Sequence, residues 1–274
     1  MKDIRIAAAV MNSPVAKVQQ NLTRMAQWVR TAKKQGAALV CFPEMNLSGY
    51  SVKPEIKDSA EPVPGTVTRV LLEFAEREDI VILAGLAEKD ESEHIFASHL
   101  VAEPGGKLGL YRKLHIAPPE HNIFSPGKEI PLFSARGVTF GIQLCYDAHF
   151  PELSTRMAVN GVDLIFIPHA SPRGTPEEKF SSWRRHLTAR AFDNSVFIVA
   201  CNQTGDNAAG LSFPGIALIL GPSGEIIEKK LDTQEGMLIA NLKADDLARV
   251  RDHKMRYFLP NRRPDLFDRL IHKE

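Results

Sequence analysis

Lys34-Gln35-Gly36-Ala37-Ala38-Leu39-Val40-Cys41-Phe42-Pro43-Glu44 ends a helix, crosses a short apolar run and stops at a proline followed by an acid. The same plan returns in Val159-Asn160-Gly161-Val162-Asp163-Leu164-Ile165-Phe166-Ile167-Pro168-His169. In each, glycine halts the helix, and an apolar run without polar alternation reads as a strand covered on both faces. Upstream of the first copy, Ile4 to Val10 is β-like. Val18, Leu22, Met25, Val29 and Ala32 then recur at steps of four and three, the spacing of an amphipathic helix. A second helix, with Val67, Val70, Leu71, Phe74 and Ala75 on one face, leads into a strand from Ile80 to Leu86.

Two more correspondences follow in the same order. Ile80-Val81-Ile82-Leu83-Ala84 matches Val196-Phe197-Ile198-Val199-Ala200. The hairpin from Leu100 to Lys113, turning at Pro104-Gly105-Gly106-Lys107, matches the one from Ile216 to Lys230, turning at Pro222-Ser223-Gly224-Glu225. An internal duplication accounts for three matches in one order. Alternating strands and helices make this an α/β chain, and two similar halves packing sheet on sheet predict a four-layer α-β-β-α sandwich. No Ser/Gly/Pro-rich linker divides the halves, so residues 1–274 read as a single domain. The Arg-rich stretch 245–274, with Pro260 and Pro264, reads as a C-terminal arm lying along a surface. Such an arm either reaches a second subunit or is a charged terminal extension.

Bulk properties narrow the function class. Lys+Arg 34 against Asp+Glu 33 leaves a net charge of +1, so no basic field for nucleic acid is expected. The first ten residues, with Asp3 and Arg5, lack the apolar core of a signal peptide. No run approaches the roughly 20 apolar residues of a membrane helix, so no membrane partner is expected. Cys41, Cys145 and Cys201 cannot all pair within one chain and show no zinc spacing, so no metal is expected. A cytoplasmic protein is the expectation.

Three short strings carry chemistry: Phe42-Pro43-Glu44, Tyr111-Arg112-Lys113 and Leu144-Cys145-Tyr146-Asp147. Each places a reactive group just beyond an apolar run. Cys145 follows a strand-like run from Val138 to Leu144 and precedes Phe150-Pro151-Glu152, a helix start with proline in the first turn. A side chain on such a turn is presented at the carboxyl edge of a sheet, and helix-start N–H groups favour a thiolate or oxyanion there. The bland reading, a buried structural thiol, suits Cys41 and Cys201 better than Cys145. Glu44, past Pro43, sits at the same edge, and an ionised carboxylate at a buried strand end needs a partner. A surface-loop glutamate and a solvated lysine are the ordinary readings of Glu44 and Lys113 taken singly.

In order, these strings resemble the nitrilase superfamily of carbon–nitrogen hydrolases, which use a Glu-Lys-Cys triad. The resemblance runs from about Ile4 to Phe267 and includes Gly49-Tyr50, Ala189-Arg190-Ala191, Cys201-Asn202-Gln203 and Phe213-Pro214-Gly215. It implies the sandwich fold already read from the duplication, and a homodimer or higher homo-oligomer. It also implies Cys145 as nucleophile, Glu44 as general base and Lys113 as oxyanion stabiliser, joined by the Tyr146 backbone N–H. Glu120, ahead of Phe124-Ser125-Pro126-Gly127, matches the superfamily's second glutamate. No metal or organic cofactor is required by that chemistry. Tyr50, His149, His169 and Arg173 are candidates for the pocket wall. His169 holds in the second repeat the place of Glu44 in the first, and Arg173 can bind a substrate carboxylate or be an exposed loop arginine.

Tyr146-Asp147 resembles the amidase-type branches, where true nitrilases commonly have Trp-Glu. A small primary amide, cleaved to carboxylate and ammonia, is the expected substrate. An N-carbamoyl amide or a nitrile needs the same attack and stays open, and an idle member that only binds ligand is the alternative of another class. His149 stands where superfamily members more often have arginine.

Overall fold

A computed structural model of the chain describes residues 1–267. The first half runs β1 (Ile4–Val10), α1 (Val18–Lys34), β2 (Leu39–Cys41), α2 (Thr66–Glu78), β3 (Val81–Lys89), β4 (Ile95–Ala102) and β5 (Leu108–Arg112). The second half opens with β6 (Phe133–Ala135) and β7 (Val138–Ile142), followed by α3 (Pro151–Val159), β8 (Leu164–His169), α4 (Pro176–Asn194) and β9 (Phe197–Asn202). A small ribbon of β10 (Thr204–Asp206) and β11 (Ser212–Pro214) precedes β12 (Ile216–Leu220), β13 (Ile226–Leu231), β14 (Gly236–Leu242) and α5 (Ala244–Arg251).

The two large sheets have orders β14-β1-β2-β3-β4-β5 and β13-β12-β9-β8-β7-β6. The cores of both are parallel, β1-β2-β3 and β7-β8-β9, each joined through crossover helices. Antiparallel strands flank them: β4 and β5 on one side of the first sheet, β12 and β13 in the same places on the second. The duplication read from the sequence is therefore a repeat of topology, β2 answering to β8, β3 to β9, and the β4-β5 hairpin to β12-β13.

Side-chain alternation explains the continuous apolar strands. On β1, Ile4, Ile6, Ala8 and Val10 enter the core between the sheets, while Ala7 and Ala9 turn to a second core under α1 and α2. On β2, Leu39 and Cys41 face the other sheet and Val40 faces the helices. Leu22, Met25, Val29 and Ala32 of α1 are all buried there. Strand β3 runs to Lys89, beyond the Leu86 expected, because the β4 partner continues pairing as far as Lys89↔Ile95. The layers are helix, sheet, sheet, helix.

The stretch from 245, expected to lie along a surface, begins by docking. Leu247 and Val250 of α5 are buried, and Arg251 reaches Asp163 Oδ1 (3.1 Å), the Val162 carbonyl (2.7 Å) and the Ser195 carbonyl (3.2 Å). Residues 268–274 of the expected arm lie outside the described residues. Among the described residues no helix is long and apolar enough to cross a membrane.

Leu39 is fully buried between the sheets. Leu39→Ala is expected to destabilise the chain by about 2–5 kcal/mol in urea denaturation, and a loss under 1 kcal/mol would contradict the two-sheet core.

Candidate active site

The loop after β2 carries Glu44 into the gap between the sheets. Pro43 ends the strand, Met45 takes φ +54, and the loop's side chains then continue the ladder of β3. Asn46 Oδ1 accepts from the Gly85 N–H (2.8 Å), Leu47 N–H donates to the Gly85 carbonyl (2.9 Å), and Ser48 Oγ accepts from the Ala87 N–H (3.0 Å). Gly85 is required by this close approach: a Cβ there would lie 2.5 Å from the Met45 nitrogen.

Lys113 follows β5, its N–H still donating to the Ala97 carbonyl (2.9 Å). Its Nζ donates to Glu44 Oε1 and to Glu120 Oε1, both at 2.9 Å. Glu44, Lys113 and Glu120 are 0%, 1% and 3% exposed, so these contacts stand without solvent screening. Every remaining carboxylate oxygen is used. Glu44 Oε2 accepts from the Ala170 N–H just past β8 (2.9 Å), Glu120 Oε1 also accepts from the Tyr50 hydroxyl (2.9 Å), and Glu120 Oε2 accepts from the Ala117 N–H (2.9 Å).

Two carboxylates share one ammonium, and the electrostatics follow. Burial pushes the Glu44 carboxyl up to about 7; Glu120's charge adds to that, and the Lys113 ammonium opposes it. Burial works against the Lys113 ammonium, but the charges of Glu44 and Glu120 outweigh it and hold it firmly protonated.

Cys145 opens a 3-10 turn, Cys145–His149, between β7 and α3. Its φ of +43 is left-handed, a conformation that costs a residue with a Cβ roughly 1–3 kcal/mol and projects the side chain off the sheet edge. Asp147 holds the turn. Its buried carboxylate accepts from the Leu144 N–H (2.9 Å), the Tyr111 hydroxyl (2.7 Å) and the His115 N–H (2.8 Å), with His115 Nδ1 also at 2.8 Å. Arg190 of α4 clamps the far end through the carbonyls of Ala148 (3.0 Å) and His149 (3.3 Å). Burial raises the Cys145 thiol; Glu44 adds to that, while Lys113 pulls the other way. The sulfur is thus a thiol at neutral pH, set among the charges of Glu44, Lys113 and Glu120.

Hydrogen bonds join Glu44, Lys113, Glu120 and Tyr50 in one buried cluster, and the charges of Glu44, Lys113 and Glu120 bear on the Cys145 thiol. His169 is buried, stacked on Trp183 with ring centroids 4.1 Å apart, and its Nδ1 lies 2.7 Å from the Ile167 carbonyl. Burial holds it neutral. His149 is exposed, its ring 4.5 Å from that of His186. Tyr146 is partly exposed beside His149 and Phe150. Arg173 is exposed, and its guanidinium has no hydrogen-bond partner among the described residues. Cys41 and Cys201 are buried free thiols, as their strand positions suggested. A separate surface hollow of about 600 Å³, lined by Phe96, Arg112 and Pro126 among others, includes none of the gathered residues.

Sequence reading gave no role to Asp147, Tyr111, Arg190, Trp183 or Lys179. The spacing Lys179, Trp183, His186, Arg190 puts these four on one face of α4, a signal present in the sequence but masked by the helix's many charges.

The family model for carbon–nitrogen hydrolases matches residues 5–252, and the chain belongs to that family. A probable nitrilase of Schizosaccharomyces pombe is 30% identical over 272 residues, covering 97% of this chain and 98% of its own. An omega-amidase of Bos taurus is 30% identical over 242 residues, covering 85% and 86%. Among solved structures, a mutant of the amidase from Nesterenkonia sp. AN1 superposes with a TM-score of 0.84 at 25% identity, covering 97% of each chain. That mutant shows covalent addition of the acetamide moiety of fluoroacetamide at its active-site cysteine. The chain is a carbon–nitrogen hydrolase of the nitrilase superfamily.

Asp147→Asn presents an amide N–H to donors that now share a carboxylate. A loss of at least about 3 kcal/mol is expected in urea denaturation, with slower alkylation of Cys145. Unchanged stability would mean that Asp147 does not hold the turn.

Proposed function

We propose that this enzyme is an amidase that cleaves a small primary amide to carboxylate and ammonia through a thioester on Cys145. One observation carries the reading: a buried ammonium shared by two buried carboxylates, one of them poised near neutrality, beside a thiol on a strained turn.

The protonation states decide the order of events. Cys145 rests as a thiol, so attack needs a base, and Glu44, titrating at about 7, is a carboxylate in an appreciable fraction of molecules at neutral pH. The thiol proton moves to Glu44 as sulfur bonds to the amide carbon. The carbonyl electron pair becomes an oxyanion facing the Lys113 ammonium and the Tyr146 N–H. Tyr146 lies in the first turn of its 3-10 segment, where N–H groups lack intrahelical acceptors. A donor of this kind is typically worth about 3–4 kcal/mol of barrier. Glu44 returns the proton to nitrogen, the C–N bond breaks and ammonia leaves. Water then gives a proton to Glu44 and its oxygen to the thioester carbon; collapse releases the carboxylate and regenerates the thiol.

Glu120 holds Lys113 and is itself braced by Tyr50 and Ala117, so in this reading it positions the ammonium. Tyr146-Asp147 after the nucleophile favours an amide over a nitrile, and the omega-amidase and Nesterenkonia amidase relatives are in keeping with that. The mechanism serves an N-carbamoyl amide equally well.

The test is mass spectrometry and ammonia release with amides, N-carbamoyl compounds and nitriles. Ammonia from amides with a transient acyl mass on Cys145 is expected; tight binding without turnover would mark an idle member. Glu44→Gln is expected to lower kcat by at least about 100-fold. The sign of the pH effect follows from the raised carboxyl. Below about 7 Glu44 is protonated and cannot accept, so the Cys145 acylation rate climbs as pH rises through that value. In Glu44→Gln that inflection disappears, and a variant keeping most of its turnover would remove Glu44 as the base.

A further inference from the structure

Asp147 is gripped from both sides of Lys113. Tyr111, two residues before that lysine, donates its hydroxyl to Asp147 Oδ2 (2.7 Å). His115, two residues after it, meets Asp147 Oδ1 through its backbone N–H and its ring Nδ1, each at 2.8 Å. Lys113 itself binds Glu44 and Glu120.

Both carboxylate oxygens of Asp147 already accept backbone N–H groups, Oδ1 from His115 and Oδ2 from Leu144. Such a group offers only lone pairs, so the His115 ring meets it as a donor and carries a proton on Nδ1. The ring is also held by its face. It stacks on Phe150 with centroids 3.7 Å apart and planes within 9° of parallel. Phe150 closes the Cys145 turn by giving its N–H to the Asp147 carbonyl (3.1 Å), and its ring meets Tyr146 edge-on, with centroids 5.4 Å apart. His115 therefore touches the turn twice, at the carboxylate inside it and at the ring that ends it.

The two oxyanion donors of the proposed mechanism come from different halves of the molecule. Lys113 follows β5, and the Tyr146 N–H belongs to the turn after β7. No hydrogen bond among the described residues joins Lys113 directly to that turn. The bonded routes between the donors run through Asp147, one by way of Tyr111 and one by way of His115. Tyr111 is fully buried and its ring also packs the core between the sheets. The His115 side chain is 34% exposed, so its hydrogen bond can be altered without opening that core.

We propose that His115 is a positioning residue for the amidase reaction. Its Nδ1–H to Asp147 and its stack on Phe150 fix the Tyr146 N–H relative to the Lys113 ammonium, so that both donors meet one substrate oxygen. It acts through Asp147 and Phe150 and keeps its proton throughout. This assignment rests on the amidase reading above and adds a residue to it.

The test sets a reaction that builds an oxyanion beside one that does not. Amide cleavage needs both donors in register, whereas alkylation of Cys145 by iodoacetamide displaces iodide and forms no oxyanion. His115→Asn returns a side-chain N–H near the Nδ1 position, and His115→Gln carries its N–H out to where Nε2 stands. Turnover of acetamide, butyramide and succinamate is measured per Cys145 that can be labelled, so unfolded enzyme is not counted. On every amide that the wild type cleaves, His115→Gln is expected to lower kcat at least about tenfold with KM held within about threefold. Its alkylation rate is expected to stay within about threefold of the wild type, because no oxyanion has to be held. His115→Asn is expected to recover most of the lost kcat. An unchanged kcat in His115→Gln would overturn the proposal, and so would an Asn variant no better than Gln. Turnover and alkylation falling together would assign His115 to the thiol or the fold, and also overturns it. The amidase reading survives all three results. A wild type that yields neither ammonia nor a Cys145 adduct from any amide would sink that reading and this one with it.

Discussion

A single buried ammonium organises this molecule's chemistry. Lys113 is almost wholly removed from water and is tolerated because Glu44 and Glu120 each give it an oxygen at 2.9 Å. The three groups come from the end of β5, the loop after β2 and a 3-10 turn, so a charge balance joins segments that are remote in sequence. One ammonium cannot fully compensate two buried carboxylates. The residual imbalance falls on Glu44, whose carboxyl moves towards neutrality, and not on Lys113. In the proposed mechanism, a base with that affinity suits a thiol that burial keeps protonated.

The two halves contribute different parts to this centre. The first half supplies the ion cluster; the second supplies the thiol on its strained turn and the N–H that fixes Glu44. That N–H belongs to Ala170, next to His169, the topological counterpart of Glu44 itself. The repeated topology thus places two equivalent loops, after β2 and after β8, at one edge of the sandwich, and their contents differ. One loop carries the acid. The other presents a backbone donor and turns its histidine onto Trp183, where burial holds it neutral.

Helix α4 links the Cys145 turn to the loop after β8. Arg190 holds the carbonyls at the end of the Cys145 turn, Trp183 backs His169, and Lys179 ties down the loop that contacts Glu44. A shift of this helix would move the turn and the segment that contacts Glu44 together. The inward side of α4 mixes apolar Trp183, Leu187 and Ala191 with Arg190 and Asn194, whose side chains bond to backbone carbonyls.

Much of the architecture was legible in the sequence, because strand and helix periodicities are local and the repeat Gly-apolar run-Pro stood out twice. The sandwich, the turn context of Cys145 and the edge positions of Glu44 and Lys113 follow from such patterns. Side-chain partnership was not legible in the same way. Asp147 and Tyr111 meet across 36 positions, Glu44 and Ala170 across 126, and no periodicity encodes those distances. Arg173 and Lys179 look alike as loop-side cations, six residues apart. Only the packed loop, with Ser171 and Pro172 offering acceptors, draws Lys179 inward and leaves Arg173 in solvent. Local pattern determined which elements form and what chemistry they carry; tertiary packing decided which charges face one another, because burial and pairing depend on atoms supplied by distant parts of the chain.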